Sequence, residues 1–261
     1  MRAVIIGSGS SWPDPDRSSP SQVIVIDDER LLFDCGPGTA MSLMKAGINP
    51  TTISRMLLTH LHMDHCLEFP SIVFQSYLLG KKDKVRLYGP PGTVDFSRLL
   101  FERTFPYAPE IVRKIRKEGL EVEPHEAAEG LVFGTGNYRV LSGPTEHGIP
   151  GIAFRIESKE GTLVISGDTR PCKSLVELAR GADLLIHDCS FPDDMIEFAR
   201  ETYHSVASEV GEVAKQAGVR KVVLTHFFPP CKGREKEMVR SVKSKFDGEV
   251  IASYDRLVIT V

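Results

Sequence analysis

The sequence predicts an α/β fold in one domain over residues 1–261, and three observations lead there. Short runs rich in Val, Ile and Leu alternate with stretches of helical periodicity. A hydrophobic fraction of 41% with a mean hydropathy of -0.11 fits a globular chain with a sizeable core. Several of the apolar runs stop at a residue able to bind metal or carry a proton, as ligand-binding strands do at their carboxyl ends in α/β architectures.

In chain order, strands are expected at "AVIIG", "QVIVI", "LLFDCG", "RMLLTH", "YRVLSG", "IAFRI", "TLVISGD", "DLLIHD", "KVVLTH" and "LVITV". Helices are expected at 38–46, 69–79, 93–104, 173–180, 204–217 and 234–245. The helix from 204 places Val206, Val210, Val213, Ala214 and Ala217 at helical spacing, with "GVRK" turning the chain after it. The stretch 106–135 is rich in charge and proline and reads as either a mobile flap or surface packing. "SRMLLTH" (54–60) and "RKVVLTH" (220–226) hint at two similar halves.

Composition excludes several classes. No apolar run approaches the roughly 18 residues of a membrane span, and "MRAVIIG" is too short for a signal-peptide core. Five scattered cysteines without a CxxC suit reduced thiols in a cytoplasm. A net charge of -3 gives no global field for nucleic acid, and the basic runs at 81–86, 113–117 and 232–236 read as solvated faces. "GSGSS" (7–11) lacks the third glycine and the helix of a dinucleotide site and reads as a turn. Cys66 reads as small apolar packing. Ser166 and Ser205 lie near histidines but make poor candidates for a nucleophile beside so many metal-capable groups. Trp12 either lines a pocket or covers the sheet.

The chemistry sits at strand ends. Asp34, His60, Asp168, the pair His187 and Asp188, and His226 each close a separate apolar run. Capping or core packing explains any one of them, but hardly all five. His60-x-His62-x-Asp64-His65 then crowds three imidazoles and a carboxylate into one loop, an expensive arrangement to bury without a cation. Imidazole with carboxylate favours Zn²⁺, with Mn²⁺ or Fe²⁺ also suited. One tetrahedral ion cannot comfortably take all four from so tight a loop. Two ions fit better, recruiting His147, Asp168 and His226 from a distance.

"THLHMDH" (59–65) resembles the signature of the metallo-β-lactamase superfamily. The other segments follow in the family's order: "FDCGPGT", "TEHGIPGIAFRI", "SGDTRP" and "LTHF". Within it, "HDCSF" (187–191) and "HSVASEVGEVAKQAGV" (204–219) resemble ribonuclease Z, while "PDPDRSSPS" (13–21) and "YGPPGT" (88–93) resemble the arylsulfatase-like members as well. The resemblance implies an αββα sandwich of two facing mixed sheets flanked by helices. It implies two Zn²⁺ per chain, one on His60, His62 and His147, the other on Asp64, His65 and His226, with Asp168 bridging. Asp34 would orient the loop from behind. The paired ions, about 3.5–4 Å apart, would activate a shared hydroxide. Asp64, His204 and Asp188 would be the catalytic residues, with His204 as general acid, Ser205 as a helix cap beside it, and Asp188 orienting the imidazole.

The expected activity is phosphodiester hydrolysis of ribonuclease Z type, a tRNA 3′-processing kind of endonuclease. The long basic arm of that family is missing, since only 20 residues separate His147 from Asp168, enough for a hairpin. The alternatives are an arylsulfatase-like or other small-ester or cyclic-phosphodiester hydrolase, and, of a different class, a non-catalytic protein that holds a small anion on its metal. The full ligand set favours an enzyme. Expected partners are an ester substrate, either RNA or a small phosphodiester, and a second copy in a homodimer, with no membrane.

Overall fold

The computed structural model describes residues 1–104 and 108–261. The first half of the chain supplies β1 (Arg2–Gly7), β2 (Ser21–Ile26), β3 (Glu29–Phe33), β4 (Ile53–Leu57), β5 (Val85–Gly89) and β6 (Val122–Glu126). The second supplies β7 (Gly130–Gly134), β8 (Tyr138–Pro144), β9 (Ile152–Ser158), β10 (Gly161–Ile165), β11 (Leu184–Asp188), β12 (Lys221–Thr225) and β13 (Glu249–Ala252). The last strand, β14 (Leu257–Thr260), returns to the first sheet. Among the described residues each sheet has seven strands, in the orders β14-β1-β2-β3-β4-β5-β6 and β13-β12-β11-β10-β9-β8-β7. Both sheets are mixed: β3 to β6 run parallel, as do β10 to β13, and the rest pair antiparallel.

Helices cover the outer faces: α1 (Thr39–Lys45), α2 (Met63–Cys66), α3 (Phe69–Leu78), α4 (Thr93–Arg98) and α5 (Ala108–Lys117) lie in the first half. The second half has α6 (Lys173–Leu178), α7 (Ile196–Glu201), α8 (Ala207–Ala217) and α9 (Glu235–Lys243). The result is the expected αββα sandwich. Its central layer joins the inner faces of the two sheets, where Phe33 meets Phe154 edge to face at 5.5 Å. The outer layers pack Leu43, Phe69 and Ile72 on the first sheet, and Leu175, Val210 and Val242 on the second. Strand β11 explains why the apolar runs are continuous: Leu184 and Ile186 face the other sheet while Leu185 faces the helices. A strand buried on both faces needs no polar alternation.

The ten runs read as strands are strands, and β5, β6, β7 and β13 join them. Three helix readings need correction. The segment 93–104 is α-helical only to Arg98, and then widens into π-helical turns over Leu99–Thr104. His204 precedes its helix rather than opening it, because α8 starts at Ala207. Ser205 does not cap that helix: its hydroxyl donates to the Thr169 carbonyl (2.7 Å), while Glu209 turns back to accept the Val206 N–H at 3.3 Å. The flap reading of 106–135 falls partly on 106 and 107, outside the described residues. Beyond them the segment forms α5, β6 and β7, with Val112 and Ile115 buried, so it packs.

Two of the basic runs are ion-paired at the surface, Lys84 and Arg86 with Glu123, and Lys232 and Arg234 with Asp16 and Asp194. That agrees with their reading as solvated faces. Among the described residues no helix is long and apolar enough to cross a membrane.

Candidate metal centre

The parallel strands of both sheets run to one edge, and each of β3, β4, β10, β11 and β12 delivers a polar group there. Asp34 follows β3, His60 and His62 follow β4, and Asp64 and His65 sit on the single turn of α2. His147 lies on the β8–β9 connection. Asp168 follows β10, Asp188 ends β11, and His226 follows β12. Backbone hydrogen bonds tie these connections together: Ile152 N–H donates to the Thr59 carbonyl (2.8 Å), and Phe227 N–H to the Ser8 carbonyl (3.0 Å). Two glycines permit the crowding. A Cβ on Gly36 would lie 1.6 Å from the Asp64 carbonyl, and one on Gly167 would lie 2.6 Å from Thr59.

The side chains converge in two groups. In the first, ligand-capable atoms of His60, His62, His147 and Asp168 lie within 4.8 Å of one another, and in the second those of Asp64, His65 and His226 do so. His62 Nδ1 is 3.1 Å from both His60 Nε2 and His147 Nε2. His65 Nε2 is 3.3 Å from His226 Nε2. Asp168 stands between the groups, its Oδ1 3.2 Å from His65 Nε2 and its Oδ2 3.3 Å from His226 Nε2 and 3.6 Å from His60 Nε2.

A second ring of contacts decides which nitrogen of each imidazole keeps its lone pair. His65 Nδ1–H donates to Asp34 Oδ2 (2.9 Å) and His147 Nδ1–H to the Tyr203 carbonyl (3.2 Å). The Thr59 hydroxyl gives its proton to Asp34 Oδ2 (2.9 Å), so its oxygen accepts from His60 Nδ1–H at 3.1 Å. The Ser190 hydroxyl donates to Asp188 Oδ1 and accepts from His226 Nδ1–H at 2.8 Å. In this network all four commit Nδ1–H to an outer acceptor and turn Nε2 to the centre, the nitrogen through which a ligating histidine would bind.

Protonation follows the same logic. Burial lowers the pKa of His60, His62 and His147, leaving them neutral. Burial works against the His65 imidazolium too, yet Asp168, Asp34 and Asp64 outweigh it and raise its pKa well above the ordinary value. Asp168 is buried, which favours its acid form, but His226, His65 and His60 hold its carboxyl well below the usual range. Three neutral imidazoles around an ionised carboxylate, with a fourth ring, His65, whose proton a cation would displace, are the donor set of a divalent-metal site. The residues fit one.

Beside the cluster, His204 Nδ1 lies 2.9 Å from Asp188 Oδ2. Burial opposes the charged ring, but Asp188 prevails and its pKa is raised to about 9. A ring nitrogen of His204 lies within 4.8 Å of ligand-capable atoms of Asp168 and His226. His187 alternates to the helix side of β11, donates Nδ1–H to the Asp188 carbonyl (2.7 Å), and has its pKa lowered by burial: it is a core histidine. Cys66 is buried, donates to the His62 carbonyl (3.1 Å), and has its thiol pushed up to about 12 by burial, as packing predicts. The Ser166 hydroxyl is committed to the Gly167 carbonyl at 2.6 Å. Trp12 is 62% exposed and lines a surface cleft with Arg17, Lys45 and Arg256, apart from the metal-capable residues. Ser190 touches Asp188, His204 and His226, a role that its place in "HDCS" does not signal.

Asp34 accepts from Thr59 N–H (2.8 Å), the Thr59 hydroxyl and His65, all buried. Asp34→Ala is therefore expected to weaken Zn²⁺ binding by about 10–100-fold, measured by equilibrium dialysis, with secondary structure intact by circular dichroism. Unchanged affinity would show that the loop holds its own shape without this carboxylate.

The Beta-lactamase superfamily domain model matches residues 29–227, from the start of β3 to just past His226. Ribonuclease Z of Methanosarcina acetivorans is 31% identical over 301 aligned residues, covering 97% of this chain and 95% of its own length. Ribonuclease Z of Mycobacterium sp. (strain KMS) is 32% identical over 269, covering 96% and 92%. The crystal structure of the short form of human tRNase Z superposes with a TM-score of 0.78 at 26% identity, over 100% of this chain and 99% of that one. The metallo-beta-lactamase fold protein YhfI from Bacillus subtilis gives 0.81 at 23% identity, over 99% and 98%, a likeness of fold. With the family model spanning most of the chain, and ribonuclease Z relatives above 30% identity along nearly all of it, the chain belongs to the ribonuclease Z branch of the metallo-β-lactamase superfamily of metal-dependent hydrolases.

Proposed function

We propose that the protein is a dinuclear zinc endoribonuclease that cleaves phosphodiesters of RNA, tRNA precursors among them, without the long basic arm of its relatives. The observation that supports this best is the division of labour at one sheet edge. Two imidazole and carboxylate groups meet at Asp168, and a separate His204–Asp188 pair lies beside them.

His60, His62 and His147 would hold one ion, and Asp64, His65 and His226 the other, with Asp168 shared. Such ions, when bound, lower the pKa of water and neutralise phosphate charge. The chain's own residues do the rest. Asp34, Thr59, Tyr203 and Ser190 fix the imidazole tautomers. His204, protonated at neutral pH and held by Asp188, is placed to give a proton to the leaving oxygen. Asp64, by its reach to His226 (3.5 Å), keeps the second group closed. The five cysteines are unpaired and buried, which supports a reducing, cytoplasmic setting. A homodimer is part of the same reading and is checked by light scattering.

Between His147 and Asp168 the chain folds as hairpin β9–β10, with Ser158 paired to Gly161. The Methanosarcina acetivorans relative aligns over 301 residues against a chain of 261, so it carries segments this protein lacks. That favours shorter or less structured RNA, and keeps a small-ester hydrolase as the second reading. Precursor tRNA, a short oligoribonucleotide, a cyclic nucleotide and p-nitrophenyl sulfate should be assayed side by side. Cleavage of the two RNAs, with tRNA binding weak and salt-sensitive, is the expected result. Turnover of the cyclic nucleotide or the sulfate ester alone would replace it with the second reading.

A further inference from the structure

Resting on the RNA reading, we propose that Tyr203 and Arg170 form a nucleotide clamp on the His204 side of the centre. Tyr203 offers its ring face to a base, and Arg170 offers its guanidinium to the adjoining phosphate. The starting observation is backbone strain. Among the described residues, five other than glycine have left-handed φ: Asp27, Asp34, Tyr203, His226 and Arg256. Asp34 and His226 belong to the metal cluster. Tyr203, at φ 61, borders it too. A bulky side chain persists in that region only where its surroundings over-determine it, and glycine would sit there freely. The fold itself asks little of the tyrosine side chain. What it uses is the carbonyl, which accepts from His147 and which any residue would supply.

The ring is what remains to be explained. It is 38% exposed, and its centroid is 6.4 Å from that of His147. The Arg170 guanidinium carbon lies 4.7 Å from the ring centroid, a cation–π contact. Arg170 is two residues beyond Asp168, and its Nε donates to Glu146 Oε2 at 3.0 Å. Its main chain also pairs with Glu146, the neighbour of His147 (3.1 Å). The guanidinium is thus braced at one nitrogen, and its terminal nitrogens have no hydrogen-bond partner among the described residues. A part-exposed aromatic ring beside a braced planar cation is the chemistry that takes a base and a phosphate together, the base on the face the guanidinium leaves open. Its place beside His204 assigns it to the nucleotide that leaves.

The test is binding of a fluorescein-labelled oligoribonucleotide with phosphorothioate linkages, read by anisotropy on the metal-loaded protein. Steady-state kinetics on the natural RNA, metal content and melting temperature accompany it. Tyr203→Gly relieves the strain and keeps the carbonyl, so it removes the ring without unfolding the loop. Tyr203→Gly and Arg170→Ala are each expected to raise Kd and KM about tenfold with kcat falling far less, at unchanged metal content and melting temperature. Tyr203→Phe should bind like the wild type, because stacking needs the face and not the hydroxyl. Wild-type affinity in both disruptive variants overturns the clamp and leaves the RNA reading standing. Metal loss in Tyr203→Gly overturns it in favour of a purely structural role. Failure of the wild-type protein itself to bind RNA, while it turns over bis(p-nitrophenyl) phosphate, removes the RNA reading and the clamp with it.

Discussion

Asp168→Ala is expected to lower bound metal below two ions per chain and to cut hydrolysis of bis(p-nitrophenyl) phosphate by on the order of 10³-fold or more, since metal assistance is worth several kcal/mol. The reason is geometric. One carboxylate reaches three imidazoles, His65, His226 and His60, between 3.2 and 3.6 Å, and they belong to different groups. Without it the buried rings lose the carboxylate that reaches into both groups. Asp168→Asn keeps the shape but removes the charge and one acceptor, so it should fail nearly as badly. Metal content by atomic absorption and turnover should fall together across both variants. Full activity with one bound ion would falsify the shared-carboxylate arrangement.

Much of this was legible in the sequence, for physical reasons that differ between elements. The strands at "LLIHD" and "VVLTH" read clearly because both of their faces are buried, so nothing polar interrupts them. Strand β6 did not, because "VEPHE" is a partly exposed strand with Val122 as its single aliphatic residue. The cluster was readable because His60, His62, Asp64 and His65 are local and the distant groups all stand at strand ends. The junction at Ser190 was not, because a serine makes three contacts there only after β11, β12 and the approach to α8 are brought together. Ser205 misled for a related reason: its hydroxyl is taken by Thr169, 36 residues away, and no local pattern records that competition. The left-handed backbone of Tyr203 has no sequence signal either, since it is glycine that advertises such a conformation.

His204→Ala is expected to reduce kcat by about 10²–10⁴-fold on RNA while metal content stays at the wild-type level. His204 is buried, and Asp188 Oδ2 holds its Nδ1 at 2.9 Å. Asp188 is itself fixed by the Thr169 N–H at 3.2 Å and by the Ser190 hydroxyl. The short aspartate carboxylate therefore reaches the ring. The direction of the pH effect follows from which form works. A general acid must carry its proton, and Asp188 raises the His204 pKa to about 9 against the effect of burial. The proton is held through neutrality and lost as pH rises through that value, so kcat on RNA should fall on the alkaline side. Cations bound at the neighbouring cluster push the same pKa down, which makes about 9 an upper bound for that limb. Asp188→Asn removes the stabilising charge and should move the limb to lower pH, and His204→Ala should abolish it. Leaving-group dependence is the sharper check. p-Nitrophenolate departs without a proton, so the loss on bis(p-nitrophenyl) phosphate should be much smaller than on RNA. A ring nitrogen of His204 also lies within 4.8 Å of ligand-capable atoms of Asp168 and His226, and the rival role is therefore a metal ligand. The two roles part cleanly: a ligand's loss strips metal and slows both substrates alike, whereas an acid's loss spares the metal and slows the poor leaving group most.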